Sequence, residues 1–323
     1  MRKFVLSIGL ALLLGNLYSL TVEENIARLK DKDSSVRRAA VMELGFAKSS
    51  SAVAALIPLL KDADSDVRRL TANALGMTQS QDALAPLIAA LEDKDAQVRQ
   101  SAAVALGYLA DVKAVPGLIK LLKDEADAVR FSAAQTLGML HDPQALQPLV
   151  EALKDKSVDM QAIALRALGN LGDKSAREPI LPLLKSDKPQ LRQEATAALA
   201  KLSDREDKVV IEQISPLLKD GDRKVQVNAA LVLGQLGSKK GYNIAVSLLK
   251  DSDSQVRQKA AEALGYINDK NAIVSLREAL KDMEPSVQRA AENSLSRLGA
   301  DTKAAVTQPK SNAPKSGEKK TVK

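Results

Sequence analysis

The amino-acid sequence predicts an all-α solenoid of about nine two-helix repeats, on two grounds. The stretch Leu60 to Gly76, reading LKDADSDVRRLTANALG, recurs along almost the whole 323-residue chain. Aligned on its central valine, the copies fall at Val36, Val67, Val98, Val129, Met160, Leu191, Val225, Val256 and Val287, spaced by 31 residues except for one step of 34. Each copy also carries start and stop signals for two helices. A unit this small cannot bury its own apolar face and must stack on its neighbours, which is what a fixed period in this range signifies.

Taken in order, residues 1–19 place Arg2 and Lys3 before the apolar run FVLSIGLALLLG and the small residues Gly15 and Ser19, the layout of a secretory signal peptide. Cleavage after Ser19 is expected, with a retained membrane anchor as the alternative for so apolar a run. The chain is accordingly expected to be exported, in the periplasm or outside the cell. It has no cysteine and can use no disulfide there, so stability must come from packing. Thr21 and Glu24 form a capping box that can open a helix at once. The solenoid is assigned to residues 20–302.

The second helix of each repeat is bounded by its caps. Three residues before the alignment valine stand Asp33, Asp64, Asp95, Ala126, Ser157, Lys188, Asp222, Asp253 and Glu284, six of them strong N-cap types. Pro189 and Pro285 follow that column, at the first helical position where proline is tolerated. Nine residues after the valine comes a column that is mostly glycine, including Gly45, Gly76 and Gly265, which reads as a left-handed C-terminal cap and predicts a helix of about 11 residues.

The columns within this helix describe its packing. Position 8 after the valine is Leu in all nine copies and position 4 is Ala except for Thr71, so leucine fills the seam while alanine allows close approach. Position 7 is small or apolar except for Glu43 in the first copy, and position 5 is apolar or Thr except for Glu292 in the last. These columns are expected to face the preceding and following repeats, a charge being allowed only where no neighbour covers it.

The first helix of each repeat is expected to open at Ser49, Ser80, Asp111, Asp142, Asp173, Asp204, Ser238 or Asp269, thirteen residues after the valine. Pro58, Pro86, Pro116, Pro148, Pro179, Pro182 and Pro216 lie inside these helices and should kink them. Three extra residues after Asp204 should lengthen one first helix by nearly a turn. After Gly299 the pattern stops, and residues 303–323, rich in Lys, Pro, Ser and Thr, are expected to be disordered. The tail then serves solubility or makes weak contact with an anionic membrane or cell-wall surface.

The net charge of +7 invites a nucleic-acid reading, but its location argues otherwise. Arg2 and Lys3 supply two charges, and residues 303–323, with six lysines against Glu318, supply five, leaving residues 21–302 electrically balanced. Three Phe, four Tyr and no Trp leave few platforms for stacking bases or sugars.

The Leu-Lys-Asp, the Asp-x-x-Val-Arg and the terminal Ala-Leu-Gly, carried over residues 21–299, resemble the short HEAT-like repeats of phycobilisome lyases and related proteins. The resemblance implies a right-handed α-α superhelix whose second helices line a concave face that binds other macromolecules. It says almost nothing of function. Deoxyhypusine hydroxylase, built on similar repeats, holds a pair of irons with several His-Glu pairs. Here the sole histidine, His141, is followed by Asp142, so that chemistry is not expected. Bilin lyases act on cytosolic phycobiliproteins, which an exported chain does not fit.

No cofactor, metal or catalytic residue is expected. The acidic runs at Asp62–Asp66 and Asp251–Asp253 lack the glycine and glutamate of a calcium loop and read better as caps. Arg37, Arg68, Arg99, Arg130, Arg192 and Arg257 are expected to pair with Asp31, Asp62, Asp93, Asp124 and Asp251 in the turns that precede them, as a ladder. His141 has neither a cysteine nor a second histidine to work with. What remains is the stripe at positions 2 and 6 of the second helices, from which Arg69, Asn73, Gln100, Val104, Phe131, Gln135, Arg166, Val227 and Leu231 are the candidate partner-binding residues. Its apolar middle, around Val104, Phe131, Val227 and Leu231, is expected to be exposed and to mark the contact patch. The expected function is that of an exported, monomeric, non-enzymatic scaffold that binds protein and not nucleic acid. An accessory subunit or lyase-like enzyme holding a substrate in the groove is the alternative.

Overall fold

The computed structural model describes residues 20–301, so the expected leader at 1–19 and tail at 303–323 lie outside the described residues. Helices alternate throughout and pair off as repeats, and among the described residues there is no strand. The chain divides into two compact units between Ser203 and Asp204, the point of the irregular spacing. The first unit pairs α1 (Val22–Arg28) with α2 (Ser34–Phe46), α3 (Val53–Leu56) with α4 (Ser65–Thr78), and α5 (Leu84–Ala90) with α6 (Ala96–Leu109). It continues with α7 (Val115–Leu121) and α8 (Asp127–Leu140), α9 (Leu146–Ala152) and α10 (Val158–Leu171), and α11 (Arg177–Ile180) and α12 (Pro189–Lys201). The second unit pairs α13 (Lys208–Ile214) with α14 (Arg223–Gln235), α15 (Tyr242–Leu248) with α16 (Ser254–Ile267), and α17 (Ile273–Ala279) with α18 (Pro285–Arg297).

The even-numbered helices are the second helices, and within each unit they pack on one another in sequence while each odd-numbered helix lies on its partner. Their starts are where cap chemistry puts them. Asp33, Asp64, Asp95, Ser157, Asp222 and Asp253 accept backbone N–H groups of the first turn, and Ala126, Lys188 and Glu284 make no side-chain cap. The position 8 leucines and the position 4 alanines are fully buried or nearly so, and the Thr71 hydroxyl donates to the Val67 carbonyl at 2.7 Å. Glu43 and Glu292 are exposed, while their counterparts Ala74, Ala105, Ala103 and Ala261 are buried, as the two terminal charges lead one to expect.

The glycine column does something other than capping. Gly45, Gly76, Gly107, Gly138, Gly169, Gly234 and Gly265 lie inside their helices with ordinary helical φ, and the left-handed residue comes three positions later, at Lys48, Gln79, Ala110, His141 and Asn268 with φ between 47° and 54°, or at Gly172 and Gly237. The second helices therefore run 13 or 14 residues rather than about 11. The glycines are there for close approach. A Cβ at Gly76 would stand 2.8 Å from the Ala105 Cα, and one at Gly138 would stand 2.7 Å from the Ala167 Cα.

The first helices differ from expectation in two further ways. Pro86, Pro116, Pro148 and Pro179 fall in the first turn, which needs no N–H there, and disturb nothing. Pro58, Pro182 and Pro216 fall later, and the α-helix gives way to a 3-10 segment at Ile57–Lys61, Leu181–Lys185 and Ser215–Lys219. The three extra residues lengthen no helix. They join a loop before α13, whose cap is Asp207, and the Glu206 N–H in that loop donates to the Leu236 carbonyl at 2.8 Å.

The arginine ladder exists at Arg37, Arg68, Arg99 and Arg257, but its carboxylates come from the following repeat, while Arg130 bonds Asp127 of its own helix and only approaches Asp155 of the next repeat, at 3.5 Å. Arg37 donates through Nε and Nη2 to Asp62 at 2.7 Å each, Arg68 to Asp93 at 2.7 and 2.9 Å, Arg99 to Asp124 at 2.7 and 2.8 Å, and Arg257 to Asp282 at 2.8 and 2.9 Å. The turn of the arginine's own repeat supplies carbonyls instead: Arg68 Nη1 donates to Asp62 and Ala63 at 2.9 and 3.3 Å. Each aspartate also accepts its own loop's N–H, as Asp93 does from Asp95 at 2.8 Å. The forked guanidinium thus ties two consecutive turns with one side chain. Where Gln161, Gln226 or Gln288 replaces it, the amide keeps only the carbonyl bond of its own repeat, at 2.7, 2.5 and 2.6 Å. Burial by itself would raise the carboxyls of Asp62, Asp93 and Asp124, yet the arginine and loop hydrogen bonds hold all three below the ordinary range.

Gly76→Ala is expected to destabilise the fold by about 1–3 kcal/mol through overpacking, while Gln79→Gly should stabilise it by up to about 1 kcal/mol by relieving a left-handed backbone; urea unfolding of the two variants checks both signs. Asp93→Asn leaves Arg68 buried without its charge partner and should cost about 3 kcal/mol at neutral pH. Because the folded carboxyl titrates below its unfolded value, its contribution is complete above that value, begins to fall below about pH 4 and is gone once pH drops through the depressed folded value, so melting curves of variant and parent should converge in strong acid.

Candidate functional site

Positions 2, 6 and 10 of a second helix are four residues apart and share one flank. Position 10 belongs to this flank because the helices continue a turn past the glycine. In α2, α4, α6 and α8 that position holds Phe46, Met77, Tyr108 and Met139, a row the sequence reading misses by ending the helix at position 9. Phe46 is 66% exposed, Tyr108 55% and Met139 53%, with Met77 half-buried. Met42 and Val104, at position 6, add to the same surface.

The glycines make the row continuous. A Cβ at Gly76 would lie 3.4 Å from Tyr108 Cδ2, and Cβ atoms at Gly45 and Gly107 would lie 3.9 Å from Met77 Sδ and Met139 Cε. Met77, Tyr108 and Met139 therefore each lean back across the bare backbone of the preceding second helix. The chain has six methionines and seven aromatic residues, so three Met and two aromatics on one strip of four helices is a marked concentration.

Of the residues singled out from sequence, Arg69, Asn73, Gln100 and Val104 are brought together, lining with Gln97 and Ser101 a depression of about 520 Å³. Phe131 is half-buried and Gln135 exposed on α8. Arg166 on α10 is exposed and donates to Glu194 at 2.6 Å, and Arg69 donates to Asp66 at 3.0 Å. The side chains of Asn73, Gln97, Gln100 and Gln135 make no hydrogen bond among the described residues.

Val227 does not belong to this surface. It is 1% exposed and sits in the buried cluster of the second unit, against which the half-buried Leu231 also packs. The reason is reach. At position 2 the Cβ lies at the margin of the seam, so Arg and Gln extend past it to water while short side chains such as Val227 and Ala162 end inside. The expected apolar middle is therefore not one patch: Val104 and Phe131 lie in the first unit, Val227 and Leu231 in the second.

A family model of HEAT repeats matches residues 22–105, 84–160, 147–214 and 211–296. The chain belongs to the HEAT repeat family. Among solved structures, this HEAT chain is similar to the YibA protein of Escherichia coli at 20% identity, over 84% of this chain and 98% of that one, with a TM-score of 0.55, a likeness of fold alone. It is also similar to an engineered protein at 24% identity, covering 86% and 88% of the two chains with a TM-score of 0.47. The complex of CpcE and CpcF of phycocyanin lyase from Nostoc matches at 26% identity over 87% and 95% with a TM-score of 0.43. No curated protein sequence matches the chain. Among the described residues no three His, Cys, Asp or Glu side chains are grouped to hold a metal ion, and no helix is long and apolar enough to cross a membrane.

Two aspartate substitutions separate face from core. Val227→Asp should destabilise the second unit by about 3–5 kcal/mol or prevent its folding, because the charge is buried without a partner. Tyr108→Asp should shift stability by less than about 0.5 kcal/mol, as an exposed site does. Chemical denaturation of the two purified variants reads the contrast.

Proposed function

We propose that this HEAT array is an exported, non-enzymatic scaffold that binds a protein partner across the second-helix face of its first unit. The observation that carries the reading is the row Phe46, Met77, Tyr108, Met139, with Met42 and Val104 beside it. Water-exposed apolar side chains in one contiguous strip are costly to leave uncovered, and a binding partner covers them. Methionines and aromatics are the side chains that adapt to and anchor such contacts. Export rests on the charged-then-apolar pattern of residues 1–19, with which the absence of cysteine is compatible. Residues 303–323 add weak electrostatic contact with an anionic surface, screened by salt.

A photo-crosslinking amino acid placed at Tyr108 in intact cells should trap a discrete protein partner. Tyr108→Asp combined with Met139→Asp should abolish capture by a second crosslinker at Met42, with melting unchanged. Undiminished capture would place the interface elsewhere. Cell fractionation should recover the chain outside the cytoplasm and shortened at its N-terminus.

A further inference from the structure

The cross-turn arginine is not kept at every step of the first unit. Three steps have it in full, where Arg37, Arg68 and Arg99 each fork onto the aspartate of the next turn. At the fourth, Arg130 stands 3.5 Å from Asp155 and spends its bond on Asp127. Between α10 and α12 both ends are exchanged, with Gln161 standing where the arginine would and Ser186 where the aspartate would. The Gln161 amide donates to the Asp155 carbonyl of its own repeat at 2.7 Å, and the Ser186 hydroxyl accepts the Lys188 N–H at 3.2 Å. Each side chain is spent within its own turn. An exchanged arginine need not break the tie by itself, because beside Gln226 the Asp251 carboxylate is kept and accepts from Arg223 at 2.8 Å.

What crosses from α10 to α12 in polar contact is a line along their outer flank: Gln190 donates to Asp159 at 3.4 Å, Arg166 to Glu194 at 2.6 Å and Lys201 to Asn170 at 2.7 Å. The Arg166 and Glu194 side chains are 48% and 22% exposed, against 5% and 12% for Arg68 and Asp93. Solvent-facing contacts of this kind contribute little and are screened by salt, whereas a buried pair is screened much less. The repeat beyond the step is also lightly built, since α11 has four residues and α12 starts at Lys188 without a side-chain cap. We propose that the α10–α12 seam is a built-in opening point of the first unit, at which α11 and α12 separate from α10 and rejoin it, with ionic strength setting the balance. Exchanging both ladder partners leaves no buried charge alone, so the closed seam is unstrained and has lost only the tie between turns. The row Phe46, Met77, Tyr108 and Met139 lies on α2 to α8 and stays assembled in either state, so this device is independent of the protein-binding reading.

The chain has no cysteine, so a single introduced thiol reports on one seam. Ala198 and Ala105 are equivalent positions, 2% and 1% exposed, that face Gly169 across the α10–α12 seam and Gly76 across the α4–α6 seam. In the full-length chain, Ala198→Cys should react with a maleimide at least roughly tenfold faster than Ala105→Cys. Raising salt from about 0.05 M to about 0.5 M should speed the first and leave the second unchanged. Installing the tie with Gln161→Arg and Ser186→Asp should slow labelling of the Ala198→Cys variant to the control rate. Removing it with Arg68→Gln and Asp93→Ser should speed labelling of the Ala105→Cys variant. Equal rates at the two seams, no response to salt, or no slowing by the installed tie would each overturn the proposal. Hydrogen exchange of the unsubstituted chain guards against a variant that misfolds: the α12 amides should exchange ahead of those of α4 and α6, and faster in high salt. Protection of α12 equal to that of α4 and α6 sinks the proposal.

Discussion

The structure depends on how closely consecutive second helices approach. A missing Cβ at position 9 lets the backbone of one helix meet the position 7 residue of the next, as Gly76 meets Ala105 and Gly138 meets Ala167. Packing at that distance favours small or β-branched residues at positions 4, 5 and 7 wherever a neighbour covers them, with the buried Leu165 at position 5 the exception. It also sets the reach across the turns. Arg68 can grip the Asp93 carboxylate of the next repeat while its Nη1 holds a carbonyl of its own only because the two turns are held at a constant spacing.

The same contact shapes the surface. Where the glycine leaves the preceding helix bare, the position 10 side chain of the next helix lies down over it, so Met77, Tyr108 and Met139 form a row instead of separate projections. A residue chosen for packing in the core thereby decides the continuity of the face. Replacing these glycines would thus be expected to disturb the exposed row along with the fold, and the two effects arise from one cause.

Sequence periodicity made the helix starts, the buried leucine and alanine columns and the uncovered terminal charges legible, because each depends on a residue type that only one environment tolerates: Asp64 at a cap, Leu75 in a seam, Glu43 where no repeat precedes. It misled where one residue type serves two ends. Glycine suits both a left-handed cap and a close approach, and reading Gly76 as the first hid the last turn of α4, and with it the row that now defines the site. It misled again at Val227, since a helical column gives direction but not the depth at which a short side chain ends. The ladder's direction was hidden for a related reason: aspartates recur every repeat, and spacing alone cannot say whether Arg37 turns back to Asp31 or forward to Asp62.

The two units differ in how their row aromatics are covered, and on the proposed reading this difference favours the first as the contact. In the second unit two pairs on the second-helix face bond to each other: Gln258 donates to Glu262 at 2.9 Å, and Arg297 lies 4.2 Å over the Tyr266 ring while donating to its hydroxyl at 3.4 Å, whereas Gln235, Arg289 and Asn293 stay exposed. An aromatic covered by its own neighbour's guanidinium offers little to a ligand, because its face is already occupied. In the first unit the corresponding aromatic, Tyr108, has only methionines beside it in the row, and the nearby amides of Asn73 and Gln100 are unspent. Both units share the fold and its spacing, so the difference lies in a few side chains at positions 6 and 10. On the proposed reading, recognition in this array is a property of local substitutions on a face that the repeat geometry supplies everywhere.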